Sequence, residues 1–211
     1  MLTVNDRKLA AYHEAGHAVI AWYYNIHTLG VSIVKGRHTL GESRLLSHFR
    51  SLPHLQVHQL ERELDVNMAG AAAEEKLTGE KMSGTRWGGN DYLIAVRIAE
   101  QWVEQTGKTL DDVYLIDTSI DVDGITGCLF SSAFLDEFGG HVRELVTRPH
   151  IWGCIEVVAQ ELLKKTELSG EEVSALIAET WKAVDGHNDE LALEAQRSGD
   201  AGRPWGEWWS E

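Results

Sequence analysis

Two histidines and a glutamate within five residues, His13-Glu14-Ala15-Gly16-His17, carry the most specific chemistry in this chain. On a helix, four residues turn through about 400°, so His17 sits about 40° around the axis from His13 and one turn further along. Both imidazoles then reach one metal ion. Glu14 falls to the side of that stripe, well placed to touch a metal-bound water and poorly placed to be a ligand. The pattern H-E-x-x-H thus supplies two zinc ligands and a general base, the parts of a hydrolytic site. Gly16 lies on the other flank, where a missing side chain leaves room for substrate or for a packed neighbour.

The bland alternative is a solvated helix with scattered His and Glu. Context decides against it. Ala15, Ala18, Val19, Ile20, Ala21, Trp22, Tyr23 and Tyr24 make the segment apolar nearly all round, the mark of a buried helix. Burying His and Glu is costly unless they are paired or hold a metal. A hydrolytic zinc site takes three protein ligands and keeps its fourth position open. The sequence offers Glu74, Glu75, Asp91 and several further histidines as the third. Asp91 opens an amphipathic run, where an acid in the first turn also serves the helix dipole, worth about 0.3–1 kcal/mol. On local pattern alone that dipole role is the better reading of Asp91. His54 and His58 share the four-residue spacing, but they lack an adjacent glutamate and read as a solvated face.

The elements that must hold these residues are mostly helical. Periodicity and capping signals predict helices over 5–25, from Pro53 to about Leu77 (one helix or two), 90–106, 138–147, 150–166 and 170–184, the last capped by Ser169. Gly30–Val34 alternates like a strand, and 39–50 returns beside it to make a small β-ribbon. Thr78–Gly89 reads as a Gly-rich loop and Asp121-Val122-Asp123-Gly124 as a turn. The expected fold is mainly α, a helical array with a small β-ribbon. Residues 1–185 form one domain, and 186–211 form an acidic, Trp-rich C-terminal tail containing Trp205, Trp208 and Trp209. That tail is read either as an anchor for a partner or as a disordered end.

Composition narrows the function classes. A formal net charge of −14 argues against nucleic acid as a partner, because phosphates demand Lys and Arg. No run approaches the 18 or more apolar residues of a membrane span. The chain shows no basic region followed by an apolar stretch, so the expected location is cytoplasmic. Cys128 and Cys154 form no C-x-x-C pair and read as reduced, small apolar residues.

Several separated motifs resemble the zinc-peptidase domain of the FtsH-type ATP-dependent proteases. Ala11-Tyr12-His13-Glu14-Ala15-Gly16-His17-Ala18 resembles the family's metal-binding helix, and Val31-Ser32-Ile33-Val34 the strand after it. Ala69-Gly70-Ala71-Ala72-Ala73-Glu74-Glu75 is similar to a family segment ending in Ala-Glu-Glu. Ser83-Gly84-Thr85 with Asn90-Asp91 resembles a loop leading into Asn-Asp, and Leu162 to Val173 resembles the C-terminal helices. The likeness runs in order over roughly residues 5–182. It implies an FtsH-peptidase-like fold, Zn2+ as cofactor, His13, His17 and Asp91 as its ligands, and Glu14 as the catalytic base. It departs from the family in a longer loop before Asp91, containing Arg86-Trp87-Gly88-Gly89, and in Val96, where the family commonly has Thr.

No G-x-x-x-x-G-K-[ST] phosphate loop occurs in the 211 residues. The resemblance is therefore to the peptidase domain in stand-alone form, not itself an ATPase. The function it implies is a zinc metalloendopeptidase that cuts peptides or flexible, unfolded protein segments by a Glu-activated, metal-bound water. A separate ATPase partner and a homo-oligomer belong to the same expectation. One of Glu74 and Glu75 would orient a ligand imidazole, and Val31–Val34 would be an edge strand for substrate or a purely structural ribbon. The rival readings are a non-catalytic metal-binding interaction module and a regulatory protease specific for one partner protein.

Overall fold

The computed structural model describes residues 4–34, 42–45, 55–80, 90–107, 121–122, 125–126 and 132–184. It is mainly helical. Helix α1 (Val4–Tyr23) leads into strands β1 (Thr28–Ser32) and β2 (Glu42–Leu45), followed by the long helix α2 (Val57–Thr78) and helix α3 (Asn90–Thr106). A two-stranded hairpin, β3 (Asp121–Val122) with β4 (Ile125–Thr126), precedes α4 (Ser132–Thr147), α5 (Pro149–Lys165), β5 (Glu167–Ser169) and α6 (Gly170–Val184).

Helix α1 is the hub. Its residues 14–21 are buried on every face, as an all-round apolar helix must be. It packs on α2 and α5, while α2 in turn packs on α3 and α4, and α5 on α6. Ile20, Leu60, Leu64, Met68, Ile98, Leu145, Ile151, Ile155, Leu162 and Ile177 are fully buried along these seams. Burial of each such side chain is worth about 1.5–3 kcal/mol before cavity effects. A Cβ on Gly16 would stand 2.6 Å from the Ala69 carbonyl oxygen and 3.0 Å from the Ala73 Cβ. Gly16 therefore serves close packing of α1 on α2 and not a space for substrate.

Local signals set the helix ends. Gln59 accepts from the Gln56 backbone N–H at 2.9 Å, starting α2 at Val57 as one continuous helix; Pro53 lies outside the described residues. Pro149 occupies the first turn of α5, where its fixed φ and missing N–H cost nothing. Ser169 and Glu172 form a reciprocal capping box on α6, with Glu172 N–H to Ser169 Oγ at 3.2 Å and Ser169 N–H to Glu172 Oε2 at 2.9 Å.

The expected small β-ribbon of β1 and β2 is present with one strand added, and two other expectations need correction. The ribbon is a three-stranded antiparallel sheet in the order β2-β1-β5, because the three residues Glu167–Ser169 pair with Ser32, Val31 and Gly30. Strand β1 is consequently central. Gly30, Val31 and Ser32 are paired on both sides, and Ile33 N–H donates to the Thr166 carbonyl at 2.8 Å. No free edge is left there for a substrate strand, so that role for Val31–Val34 is withdrawn. Helix α4 begins at Ser132, not 138. Gly139-Gly140 disfavours a helix by about 1 kcal/mol per glycine, but tertiary packing carries the helix through them. The segment 107–120 lies outside the described residues apart from Gly107, as do Cys128 and the tail 186–211. Cys154 is a buried free thiol, and burial pushes its pKa up to about 12.

Candidate metal centre

Helices α1 and α3 bring three donor atoms to one point. His13 Nε2 and His17 Nε2 are 3.0 Å apart, and Asp91 Oδ2 lies 3.2 Å from the first and 3.4 Å from the second. No other group of three His, Cys, Asp or Glu side chains among the described residues converges in this way. Asp91 does sit in the first turn of α3, as its place in the sequence required. The packing of α2 between α1 and α3 turns its carboxylate onto the histidines.

The other imidazole nitrogens fix the tautomers. His13 Nδ1 bonds Glu74 Oε1 at 2.7 Å, and His17 Nδ1 bonds the Val66 backbone carbonyl at 2.6 Å. A carboxylate and a carbonyl only accept, so both Nδ1 atoms carry the hydrogen and donate it. Each Nε2 then presents a lone pair. Two imidazole lone pairs and a carboxylate oxygen facing one another repel unless a proton or a metal ion stands among them. Such a set, nitrogen and oxygen donors backed by acceptors that raise ligand basicity, fits zinc.

Charge behaviour agrees. Burial opposes protonation of His13, but Asp91 and Glu74 outweigh it and hold its pKa up at about 10. His17 is also raised, burial again being overcome by Asp91. Asp91 is held well below the carboxylate range, burial being overcome by the two histidines. The cluster demands positive charge at its centre. Glu14 is 7% exposed, and its charge favours the protonated form of both imidazoles, so it stands within electrostatic reach of the donors.

Helix α2 supplies the floor. A Cβ built on Gly70 would lie 2.5 Å from His17 Nε2 and 2.7 Å from His13 Nε2. Only a glycine lets α2 pass this close to the donor atoms. The sequence showed the run Ala69-Gly70-Ala71 without revealing which small residue faces the imidazoles. Of the two adjacent glutamates, Glu74 backs His13, whereas Glu75 accepts from Arg143 Nε at 2.6 Å and Nη2 at 3.2 Å, tying α2 to α4. The loop 81–89 and His54 lie outside the described residues. His58 stands in the first turn of α2, away from the cluster in sequence and set by burial below its usual pKa.

The family profile described as Peptidase family M41 matches residues 1–176. The chain is 26% identical to ATP-dependent zinc metalloprotease FtsH 2 of Thermoanaerobacter over 81% of its own length and 32% of that protein. It is 28% identical to ATP-dependent zinc metalloprotease FtsH of Helicobacter pylori, covering 93% of this chain and 33% of the relative. A mitochondrial inner membrane m-AAA protease component, yta12 of Schizosaccharomyces pombe, is 28% identical over 84% of this chain and 24% of its own length. The chain thus spans about a third or less of these relatives. No helix among the described residues is long and apolar enough to cross a membrane.

Proposed function

We propose, because this chain belongs to peptidase family M41, that it is a zinc-dependent endopeptidase in which His13, His17 and Asp91 hold the metal and Glu14 is the general base. One observation carries the reading. Three acceptor atoms converge within 3.4 Å, while both imidazole Nδ1 atoms are committed elsewhere. Zinc bound by this set supplies Lewis acidity for the scissile carbonyl and brings the pKa of a water toward about 7.

The protein's own residues do the remainder. Glu74 and the Val66 carbonyl keep His13 and His17 in the tautomer that leaves Nε2 free. Glu14 takes a proton from the attacking water at its carboxylate and passes it to the leaving amine nitrogen as the C–N bond breaks. A purely structural metal site has no use for a buried glutamate in this position, which favours an enzyme over an interaction module.

The proposed substrates are peptides and flexible or unfolded protein segments, which a hydrolytic centre cuts without an unfolding step. The relatives are named ATP-dependent, so unfolding of a folded substrate would draw on an ATPase outside these residues, in a homo-oligomeric assembly. Purified Glu14→Gln protein tests the assignment by metal analysis and cleavage of casein. Zinc content equal to wild type with cleavage reduced roughly 10²–10⁴-fold is the expected result. Undiminished cleavage removes Glu14 as base, and wild-type cleavage that survives a chelator removes the metal.

A further inference from the structure

A second polar cluster lies beside the metal centre and has no part in the chemistry above. Asp65 on α2 is 1% exposed, yet one of its oxygens takes two hydrogen bonds from two other regions of the fold. Tyr24 Oη, just past the end of α1, donates to Asp65 Oδ2 at 2.5 Å, and His141 Nδ1 on α4 donates to the same oxygen at 2.9 Å. Asp65 Oδ1 has no hydrogen-bond partner among the described residues. The next residue is Val66, whose carbonyl holds His17 Nδ1 at 2.6 Å.

We propose that Tyr24, Asp65 and His141 are positioning residues for His17, fixing the rotation and height of α2 so that the Val66 carbonyl meets His17 Nδ1 and the ligand's Nε2 faces the metal. The inference rests on the zinc reading of the preceding subsection. The Val66 carbonyl is main chain, so it moves only as α2 moves. A slide of one residue along the axis is about 1.5 Å and a turn of about 100°, more than enough to break a bond of that length.

Elsewhere along α2, Glu61 accepts from Trp102 of α3, Glu74 from His13 of α1 and Glu75 from Arg143 of α4. At the metal centre itself, α2 meets α1 through the close approach of Gly16 to Ala69 and Ala73 and of Gly70 to His13 and His17. The two directional bonds from the end of α1 and from α4 converge on one oxygen of Asp65, the residue next to Val66, and so act where the carbonyl must be placed. Stability alone explains the arrangement poorly. A buried carboxylate with an unpartnered oxygen is costly, and an apolar side chain would join the three elements without that cost. Buried ionic groups are better attested as devices of register than of stability.

Zinc affinity, measured by competition with a chromophoric chelator on the full chain, tests the proposal. Tyr24→Phe and His141→Phe each remove one donor and should each weaken zinc binding roughly tenfold, the scale found for outer partners of metal ligands. His141→Gln restores an N–H donor and should recover most of the loss. Cys154→Ala, which opens a cavity between α5 and α6 and touches neither cluster, should lower the melting temperature and leave zinc affinity unchanged. Tyr24→Phe keeps the ring and decides the matter alone if His141→Phe does not fold. Wild-type zinc affinity in folded Tyr24→Phe overturns the inference and leaves the metal centre standing. So does an equal loss in Cys154→Ala. Wild-type protein that binds no zinc overturns the inference together with the reading it rests on.

Discussion

At Asp65, two hydrogens from Tyr24 and His141 point at one carboxylate oxygen; at the metal centre, three acceptors from His13, His17 and Asp91 point at one another. Both clusters are built from histidine and aspartate, and both hang on α1 and α2. The first pairs donor with acceptor on Asp65 Oδ2. The second has spent its ring hydrogens on Glu74 and Val66 and leaves an electron-rich centre that only a cation can balance. Residue type does not separate the two. What separates them is that a ring hydrogen faces the carboxylate at Asp65, whereas at the metal centre the Nδ1 hydrogens of both histidines are committed elsewhere.

The largest expected effect that distinguishes them comes from Gly70→Ala. Its methyl would fall 2.5 Å from His17 Nε2, where no neighbour can give without displacing the donor. Zinc content should fall to background while far-ultraviolet circular dichroism stays helical, and the Asp65 cluster, which Gly70 does not touch, should persist. Normal zinc loading in that variant would break the account of α2 as the floor of the site.

Next in size is Glu74→Gln. Gln keeps an acceptor for His13 Nδ1 but removes the charge, so zinc affinity should drop within the 10- to 100-fold range of outer-partner changes. The adjacent Glu75→Gln breaks the pair with Arg143 instead, and should cost stability with little change in zinc affinity. Equal affinities in both variants would merge two roles that the geometry keeps apart.

The two clusters should also respond to pH in opposite directions. Protons compete with the metal for His13, His17 and Asp91, so the rise in melting temperature caused by added zinc should grow from about pH 6 to about pH 8. His141 behaves the other way. Burial opposes its charge, but Asp65 outweighs burial, with Glu144 assisting and Arg148 opposing, and its pKa is raised. A group raised above its unfolded value stabilises fully below that value, about 6.5, and loses the contribution as the pH climbs through the folded pKa. The melting-temperature gap between wild type and His141→Gln, measured without metal, should therefore shrink with rising pH. A gap that widens would refute the ion pair.

The smallest effect is a control far from both clusters. Ser169→Ala removes the α6 cap at a cost of about 1 kcal/mol and should leave zinc affinity unaltered.

Sequence legibility followed how local each signal was. Helix α1 declared itself because H-E-x-x-H and an all-round apolar flank act within one element. Helix α3 (Asn90–Thr106) matched its expected span, and Ser169 capped α6 as its spacing with Glu172 required. The family motifs pointed to Asp91, whereas its own surroundings in sequence pointed to the helix dipole; only the packing of α3 against α2 reconciles the two. Strand β5 was hidden because three residues between two helices carry no readable alternation, and Ser169 serves as both strand end and cap. Gly70 and Asp65 were hidden for a different reason. One is a small residue in a run of small residues, and the other an acid on an acid-rich helix. Their meaning lies wholly in what α1, α3 and α4 bring to them.

Zinc-edge X-ray absorption on the metal-loaded protein, with Asp91→Ala alongside, tests the central claim most directly. Wild type should show two imidazole nitrogens at about 2.0–2.1 Å and a carboxylate oxygen at about 2.0–2.2 Å, with the variant losing the oxygen and much of its metal. An identical coordination shell in Asp91→Ala, or a shell without two imidazoles in wild type, would contradict it.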